Sequence, residues 1–249
     1  MFKWREREPG VGQAWGVDWG FTDRAGGVST GAYDSLNLGG HVGDDPAAVT
    51  RNRARVAEAF ELEPEALRFM RQVHGTAVAV VGSEPQELAP EADVMLTDSP
   101  AVALVVMVAD CTPILLLDRT EGLAAVVHAG RVGFTNGVVD AAVSALRDRG
   151  ASDLEAVVGS SVCPRCYEVP ADLRDQAAAA SPAAYSVSGI GTPAIDVAAG
   201  VVDHLHSAGV SVTWLPGCTR EDETLFSHRR EAGGRFAGVV RLLPPEDAA

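Results

Sequence analysis

The sequence predicts an α/β fold: a single domain of mixed β-sheets flanked by helices. Three observations carry that prediction. Residues 101–133, AVALVVMVADCTPILLLDRTEGLAAVVHAGRVG, hold three apolar runs, at 101–109, 114–117 and 123–127. These runs are rich in Val, Ile and Leu with little polar alternation, as strands buried on both faces are. Segments with helical periodicity and recognisable caps alternate with further strands. No internal repeat and no long linker divides the 249 residues, and two-residue hairpin turns are scarce.

Composition sets the outer bounds. A chain of 249 residues can bury a sizeable core, and 47% hydrophobic residues is too many for disorder. The net charge of −14 argues against a nucleic-acid partner and against an anionic membrane surface. It leaves room for a small phosphorylated ligand, which a local arginine cluster can hold. The longest apolar run, 101–109, falls far short of the ~20 residues that span a bilayer. The N-terminal MFKWREREPG lacks the apolar core of a signal peptide. A cytoplasmic location is therefore expected. There Cys111, Cys163, Cys166 and Cys218 stay reduced, so metal or catalytic roles outrank disulfides.

Along the chain, residues 1–14 are expected to form a loose N-terminal segment, and 15–43 a glycine-rich polar loop able to approach a ligand closely. Asp44 or Asp45 caps a helix that Pro46 opens, with Val49, Val56 and Phe60 on its inner face. Pro64 opens a second short helix carrying Leu67 and Met70, and 76–81 is a strand just beyond His74. Asn136 caps a helix whose apolar face is Val138, Val139, Ala142, Val143 and Leu146, stopped by Gly150. The expected sequel is a strand at 154–162, a Pro170-led helix, a loop at 181–193 and a helix at 196–208. A strand at 210–215 and a last strand from Phe236 complete it.

Asp110, Cys111, Asp118 and His128 stand out at the ends of greasy strands, where a rigid scaffold commonly carries a site. Cys111 and His128, joined by His74, make a thiolate-and-two-imidazole set suited to zinc, with the fourth position left for water. The same residues support a cysteine hydrolase, with Cys111 as nucleophile and His128 or His74 as base. Both chemistries stay open at this point. Asp110 is a candidate general acid/base if the strand ends or bulges at Thr112-Pro113. A multicopper centre needs many imidazoles, and the only His-x-His among six histidines, His204 and His206, falls on a helix where the two diverge. Cys163-Pro-Arg-Cys166 is a lone C-x-x-C. The Tyr-Glu-Val-Pro after it is poor helix-opening chemistry for a redox pair, and Cys111 and Cys218 are not spaced as a second pair for a four-thiolate zinc site. Structural cysteines are expected there. P-loop, nucleophile-elbow and dinucleotide signatures are absent.

Seven motifs, in order, carry a resemblance: FTDRAGGVS (21–29), SLNLGGHVGDD (35–45), RQVHGTAV (71–78), VADCTPILLLD (108–118), VVHAG (126–130), VGSSVCPRCYEV (158–169) and CTREDETLFSHRREAGGR (218–235). The chain resembles the YfiH family, also called laccase-domain or polyphenol-oxidase-type proteins and peptidoglycan editing factor, over nearly its whole length. The resemblance implies one YfiH-like domain over 1–249, similar in fold to bacterial cysteine-hydrolase toxins. It implies zinc, with copper as the alternative, held by His74, Cys111 and His128. It also implies a zinc-dependent enzyme acting on purine nucleosides, by phosphorolysis of adenosine, inosine or methylthioadenosine or by deamination of adenosine. The partners would then be small molecules, a purine nucleoside and phosphate; the oligomeric state stays open. Rival readings are a cysteine-type hydrolase or editing factor for a peptidoglycan precursor, a polyphenol oxidase, and a non-catalytic ligand-binding regulator. Cys111, His74 and Asp110 are the expected catalytic residues, and Arg24, Asn37 and Arg229, in matching glycine-rich turns, the expected substrate contacts. Three motifs depart from the family. HAGRVG stands where HAGWRG is common, so an arginine would have to bind phosphate from Arg131, one position early. GSSVC (159–163) replaces a GPAIG-like turn and puts Cys163 where glycine is usual. His228 replaces a tyrosine and is expected to be an exposed turn residue.

Overall fold

A computed structural model describes residues 1–231 and 233–245. The chain begins with β1 (Phe2–Glu8) and β2 (Gly16–Thr22), then α1 (Pro46–Ala59). Next come β3 (Leu67–Arg68), β4 (Val78–Val80) and β5 (Val94–Thr97). The three apolar runs form β6 (Ala103–Val108), β7 (Thr112–Asp118) and β8 (Leu123–Ala129). They are followed by α2 (Arg131–Thr135), α3 (Val138–Arg147), β9 (Leu154–Val158) and α4 (Ala171–Ala180). A short pair, β10 (Tyr185–Val187) and β11 (Pro193–Ile195), precedes α5 (Val197–Ser207), β12 (Ser211–Trp214) and β13 (Phe236–Leu243).

Two mixed sheets result, ordered β1-β2-β13-β6-β3 and β12-β9-β7-β8-β5-β4. Because successive strand side chains point to opposite faces, each doubly buried strand serves two cores. Leu104, Val106 and Val108 of β6 meet Leu115, Leu117, Ala124 and Val126 of β7 and β8 in a core between the sheets. Their neighbours Ala103, Val105 and Met107 pack under Val56, Ala57 and Phe60 at the end of α1. Ile114, Leu116, Ala125 and Val127 face the other way, against Phe134, Val139, Ala142 and Val201 of the later helices. The architecture is helix, sheet, sheet, helices. Among the described residues, no helix is long and apolar enough to cross a membrane.

Several expectations are corrected. Residues 1–14 are not loose: β1 pairs along β2, and Arg5 donates to both oxygens of the fully buried Asp18 (3.2 and 2.9 Å). Within the expected loop at 15–43, GVDWGFT is a wholly buried strand. Val17, Trp19 and Phe21 fill the inter-sheet core while Asp18 and Thr22 take hydrogen bonds on the other face. Pro64 starts a single 3₁₀ turn instead of a helix, and Leu67 and Arg68 then pair with Ala103 and Leu104. Asn136 ends α2, its N–H donating to the Val132 carbonyl, and α3 begins after Gly137 (φ 87°). β10 lies inside the expected loop at 181–193.

Asp118 lies at the far end of β7 from the other polar residues of the central stretch. It is fully buried and accepts the backbone N–H groups of Thr120, Glu121, Ser152 and Asp153 at 2.7–2.9 Å, tying the β7–β8 turn to the start of β9. Burial acts to raise its pKa, but the four donors outweigh it and hold the carboxyl below its usual range. Asp118→Asn, which turns an NH₂ towards some of these donors, is expected to cost about 2–3 kcal/mol in urea unfolding at pH 7. The wild-type advantage should be full above the ordinary carboxyl pKa of about 4 and vanish as pH falls through the lower folded value.

Candidate active site and metal centre

The site sits where β8 ends and β7 begins. Antiparallel pairing sets Pro113 opposite His128 and Thr112 opposite Ala129, so Cys111 arrives beside Gly130. His128 shares the β8 face of Ala124 and Val126, so its ring enters the inter-sheet layer at its open end. His74 comes from the loop ahead of β4. One donor atom each from His74, Cys111 and His128 lies within 4.8 Å of the others, with His74 Nε2 3.8 Å from Cys111 Sγ. The two imidazoles meet edge to face at 4.7 Å. His128 is buried, Cys111 half-buried and His74 exposed. At Gly130 a Cβ would lie 2.6 Å from the His74 ring and 3.1 Å from Cys111 Sγ, so only glycine fits this point of HAG.

A fourth residue, which sequence reasoning passed over, holds the cluster in place. Asp93, fully buried just before β5, accepts His128 Nδ1–H at 2.8 Å. That bond fixes the ring so that Nε2 faces Cys111. The same carboxylate accepts the N–H groups of Val73, His74 and Gly75 at 3.2, 3.0 and 2.6 Å, which secures His74 in its left-handed backbone conformation (φ 60°). The available signal was an aspartate heading the apolar run VML. Gln72 locks the other side of the loop, its amide pairing with the Met107 N–H and carbonyl like an added strand residue.

The electrostatics of the site come from this packing. Burial alone would raise the Cys111 thiol, but His128 and His74 beside it bring it down to about 6. Burial alone would lower His128, yet Cys111 and Asp93 push it up to about 9. Without a metal, this packing favours a thiolate facing an imidazolium. The donor set, one thiolate and two imidazoles with a carboxylate behind one ring, is one that can hold a metal ion.

Asp110 also reaches the cavity wall, at φ 94°, but its carboxylate is engaged. It accepts the hydroxyls of Thr219 and Ser227, both at 2.6 Å, and the N–H of Arg229 at 2.7 Å. This geometry makes it a clamp on the 218–230 segment. Arg24 and Asn37 do not reach the site. Arg24 is spent on the Asp34 carbonyl, Glu231 and the Phe226 ring. Asn37, fully buried, bridges Asp44, Gly39 and the Arg235 N–H. Arg229 does line the cavity, its guanidinium stacked 4.4 Å over Tyr167. Arg131 lines it too, while Val132 does not. His228 is exposed at the rim, as expected. His204 is engaged with the Ala180 carbonyl and Phe134, away from the cluster.

The cavity holds about 750 Å³, of the size that takes a drug-sized ligand. The Cys–His–His cluster lies at its wall, Phe69, Met107, Val162 and Val197 provide apolar surface, and Arg53, Arg71, Arg131, Arg229 and Arg235 converge on it. These features define an α/β protein with a metal-capable site in a cation-rich pocket. The chain belongs to the family described as multi-copper polyphenol oxidoreductase laccase, whose model matches residues 18–243. It is 48% identical to a Streptomyces coelicolor protein named purine nucleoside phosphorylase, over 91% of this chain and 96% of that one. A Mycobacterium tuberculosis protein of the same name is 46% identical over 88% and 89%. Among solved structures, a Neisseria meningitidis protein of the DUF152 family superimposes with TM-score 0.83 at 34% identity, covering 96% of this chain and 99% of that one. A Bacillus licheniformis protein called YfiH shares the fold, with TM-score 0.84 at 24% identity over 94% and 98%.

The thiolate can be tested directly. In metal-free protein, iodoacetamide alkylation of Cys111, followed by peptide mass mapping, is expected to rise with pH through about 6 rather than through the ordinary thiol range. Added zinc should suppress it. Asp93→Asn should move the midpoint upward, because the His128 charge loses its anchor.

Proposed function

We propose that the protein splits purine nucleosides by phosphorolysis, with zinc held by His74, Cys111 and His128. One observation carries the reading: in a chain of net charge −14, five arginines gather on the cavity that contains the Cys–His–His cluster. The names of the relatives agree with it. Three protein ligands leave one coordination position open, and a zinc ion there supplies Lewis acidity to a group that gains negative charge.

The protein's own residues supply the rest. Arg53 and Arg235 donate to backbone carbonyls, and Arg71 is paired with Glu91. Arg131 and Arg229 have no carboxylate partner among the described residues, which leaves them for a phosphate dianion. Tyr167, whose phenol is raised by burial and by the Cys111 charge, gives Arg229 a flat surface that fixes its plane. The apolar wall of Phe69, Met107 and Val162 suits a purine face and keeps water away from the bond between sugar and base. Phosphate then attacks the anomeric carbon as the base departs with the bonding pair, and the cationic rim offsets the charge that develops. Arg131 does this work from one position before the usual arginine.

A second reading rests on a specific contact. The sequence Cys111, His128 Nε2, His128 Nδ1–H, Asp93 Oδ1 is also the order of a cysteine hydrolase, with the thiolate already formed. Chelation separates the two, since only the zinc enzyme loses activity on removal of metal.

The experiment is chromatography of adenosine and inosine incubated with zinc-loaded protein, with and without phosphate. Free base and ribose 1-phosphate should appear only with phosphate, and His74→Ala should abolish them. Inosine formed from adenosine without phosphate would replace phosphorolysis by deamination. No turnover of either nucleoside would overturn the proposal. Arg131→Ala and Arg229→Ala are each expected to raise the phosphate KM about 10- to 100-fold, the loss of one charge-assisted contact, with a smaller change in the nucleoside KM.

A further inference from the structure

All four cysteines are free, and three of them meet at a second place. Cys163 and Cys166 flank a 3₁₀ turn after β9, and Cys218 begins the segment that Asp110 clamps. One donor atom each from Cys163, Cys166, Cys218 and Glu221 lies within 4.8 Å of the other three. The second pair that the sequence lacked is therefore not two cysteines. It is Cys218-Thr-Arg-Glu221, a C-x-x-E facing the C-x-x-C. We infer that Cys163, Cys166, Cys218 and Glu221 bind a zinc-class divalent cation, separate from the pocket cluster.

The two halves are built alike. In each, the N–H of the fourth residue donates to the carbonyl of the first: Cys166 to Cys163 at 2.9 Å and Glu221 to Cys218 at 3.2 Å. Each turn brings two donors to the same side, as in paired zinc-binding loops. The halves are held together by a bridge between Ser161 and Cys218, in which the Thr219 N–H donates to the Ser161 carbonyl at 3.0 Å. The Cys163 N–H points at Cys218 Sγ at 3.3 Å, which ties the first half to the second.

Spacing and charge fit a tetrahedral ion. With Zn–S about 2.3 Å and Zn–O about 2.0 Å, tetrahedral ligand atoms stand ~3.5–3.8 Å apart. Glu221 Oε1 is 3.4 Å from Cys166 Sγ and 3.9 Å from Cys163 Sγ. Its other oxygen accepts Arg165 at 2.8 Å, the kind of outer contact that orients a ligating carboxylate. Three thiolates and a carboxylate around one point repel each other unless a cation lies between them. Three sulfurs and one oxygen suit zinc rather than calcium or magnesium, which take oxygen. On binding, each thiol releases a proton and forms a metal–sulfur bond, so no oxidant or reductant is needed. The site joins the loop that carries Tyr167 to the segment that carries Arg229, and it rests on neither the pocket metal nor phosphorolysis.

The test is metal content by plasma mass spectrometry after dialysis, on wild type, Cys111→Ser, and Cys111→Ser combined with Cys166→Ser. Cys111→Ser, with the pocket cluster broken, should keep one zinc equivalent, and the double variant none. Cobalt in Cys111→Ser should give the intense near-ultraviolet absorption of several thiolate ligands. Glu221→Gln, which spares the thiols, should weaken zinc at least 10-fold in competition with a chelator, and Glu221→Cys should hold it as tightly as wild type or better. The inference is overturned if Cys111→Ser holds no metal, or if its mass is lower by two hydrogens, the mark of a disulfide. It is equally overturned if wild type, Glu221→Gln and Glu221→Cys bind zinc alike.

Discussion

The carboxylate of Asp93 joins two parts of the molecule that otherwise have separate causes. It fixes the ring of His128, at the end of a strand, and the backbone of residues 73–75, in a loop before an edge strand. A buried carboxylate is costly unless its lone pairs are filled, so the loop has to fold where the donors can reach. Once it does, His74 is set against Cys111, and the close approach demands Gly130. Ring orientation, loop conformation and the glycine are thus one constraint rather than three.

Asp110 does for the opposite wall what Asp93 does for the histidines. Its three hydrogen bonds hold the segment from Cys218 to Arg229 against the end of β6, and so present Arg229 to the cavity. Both aspartates spend their charge inward on fixed donors. Of the arginines around the cavity, Arg71 is paired with Glu91 while Arg131 and Arg229 have no carboxylate partner among the described residues, and the remaining acidic residues lie mostly on the exterior of the chain. A protein with strong overall negative charge therefore offers a locally positive pocket, which both attracts a small anion and discourages a polyanion.

The parts of the fold that were legible in the sequence are those written in one local pattern. β6, β7 and β8 announced themselves by unbroken apolar runs, and α1 by Asp45 and Pro46. β2 was hidden because Gly16, Asp18 and Gly20 read as loop, although Val17, Trp19 and Phe21 alternate correctly. Its polar face is buried under hydrogen bonds from distant residues, which no local window contains. The donors His74, Cys111 and His128 were legible as residue types at strand ends. Their supporter Asp93 was not, since its importance arises from partners on two other segments. Arg24 and Asn37 shared motifs with the site but are used to hold turns together. Glu221 was missed because only cysteines were counted as partners for Cys163 and Cys166.

β13 lies in the middle of the five-stranded sheet, between β2 and β6, although it is the last strand among the described residues. On a ribosome, β2 and β6 emerge long before the strand that must part them. Until β13 arrives, each exposes an edge and half of the inter-sheet core, and the segment that Asp110 clamps has only just been made. A nascent chain thus carries the Cys–His–His residues before Arg229 and Arg235 reach the cavity, so that side of the pocket is unformed until the sheet is complete. The interval is also one in which two sticky edges need protection from other chains.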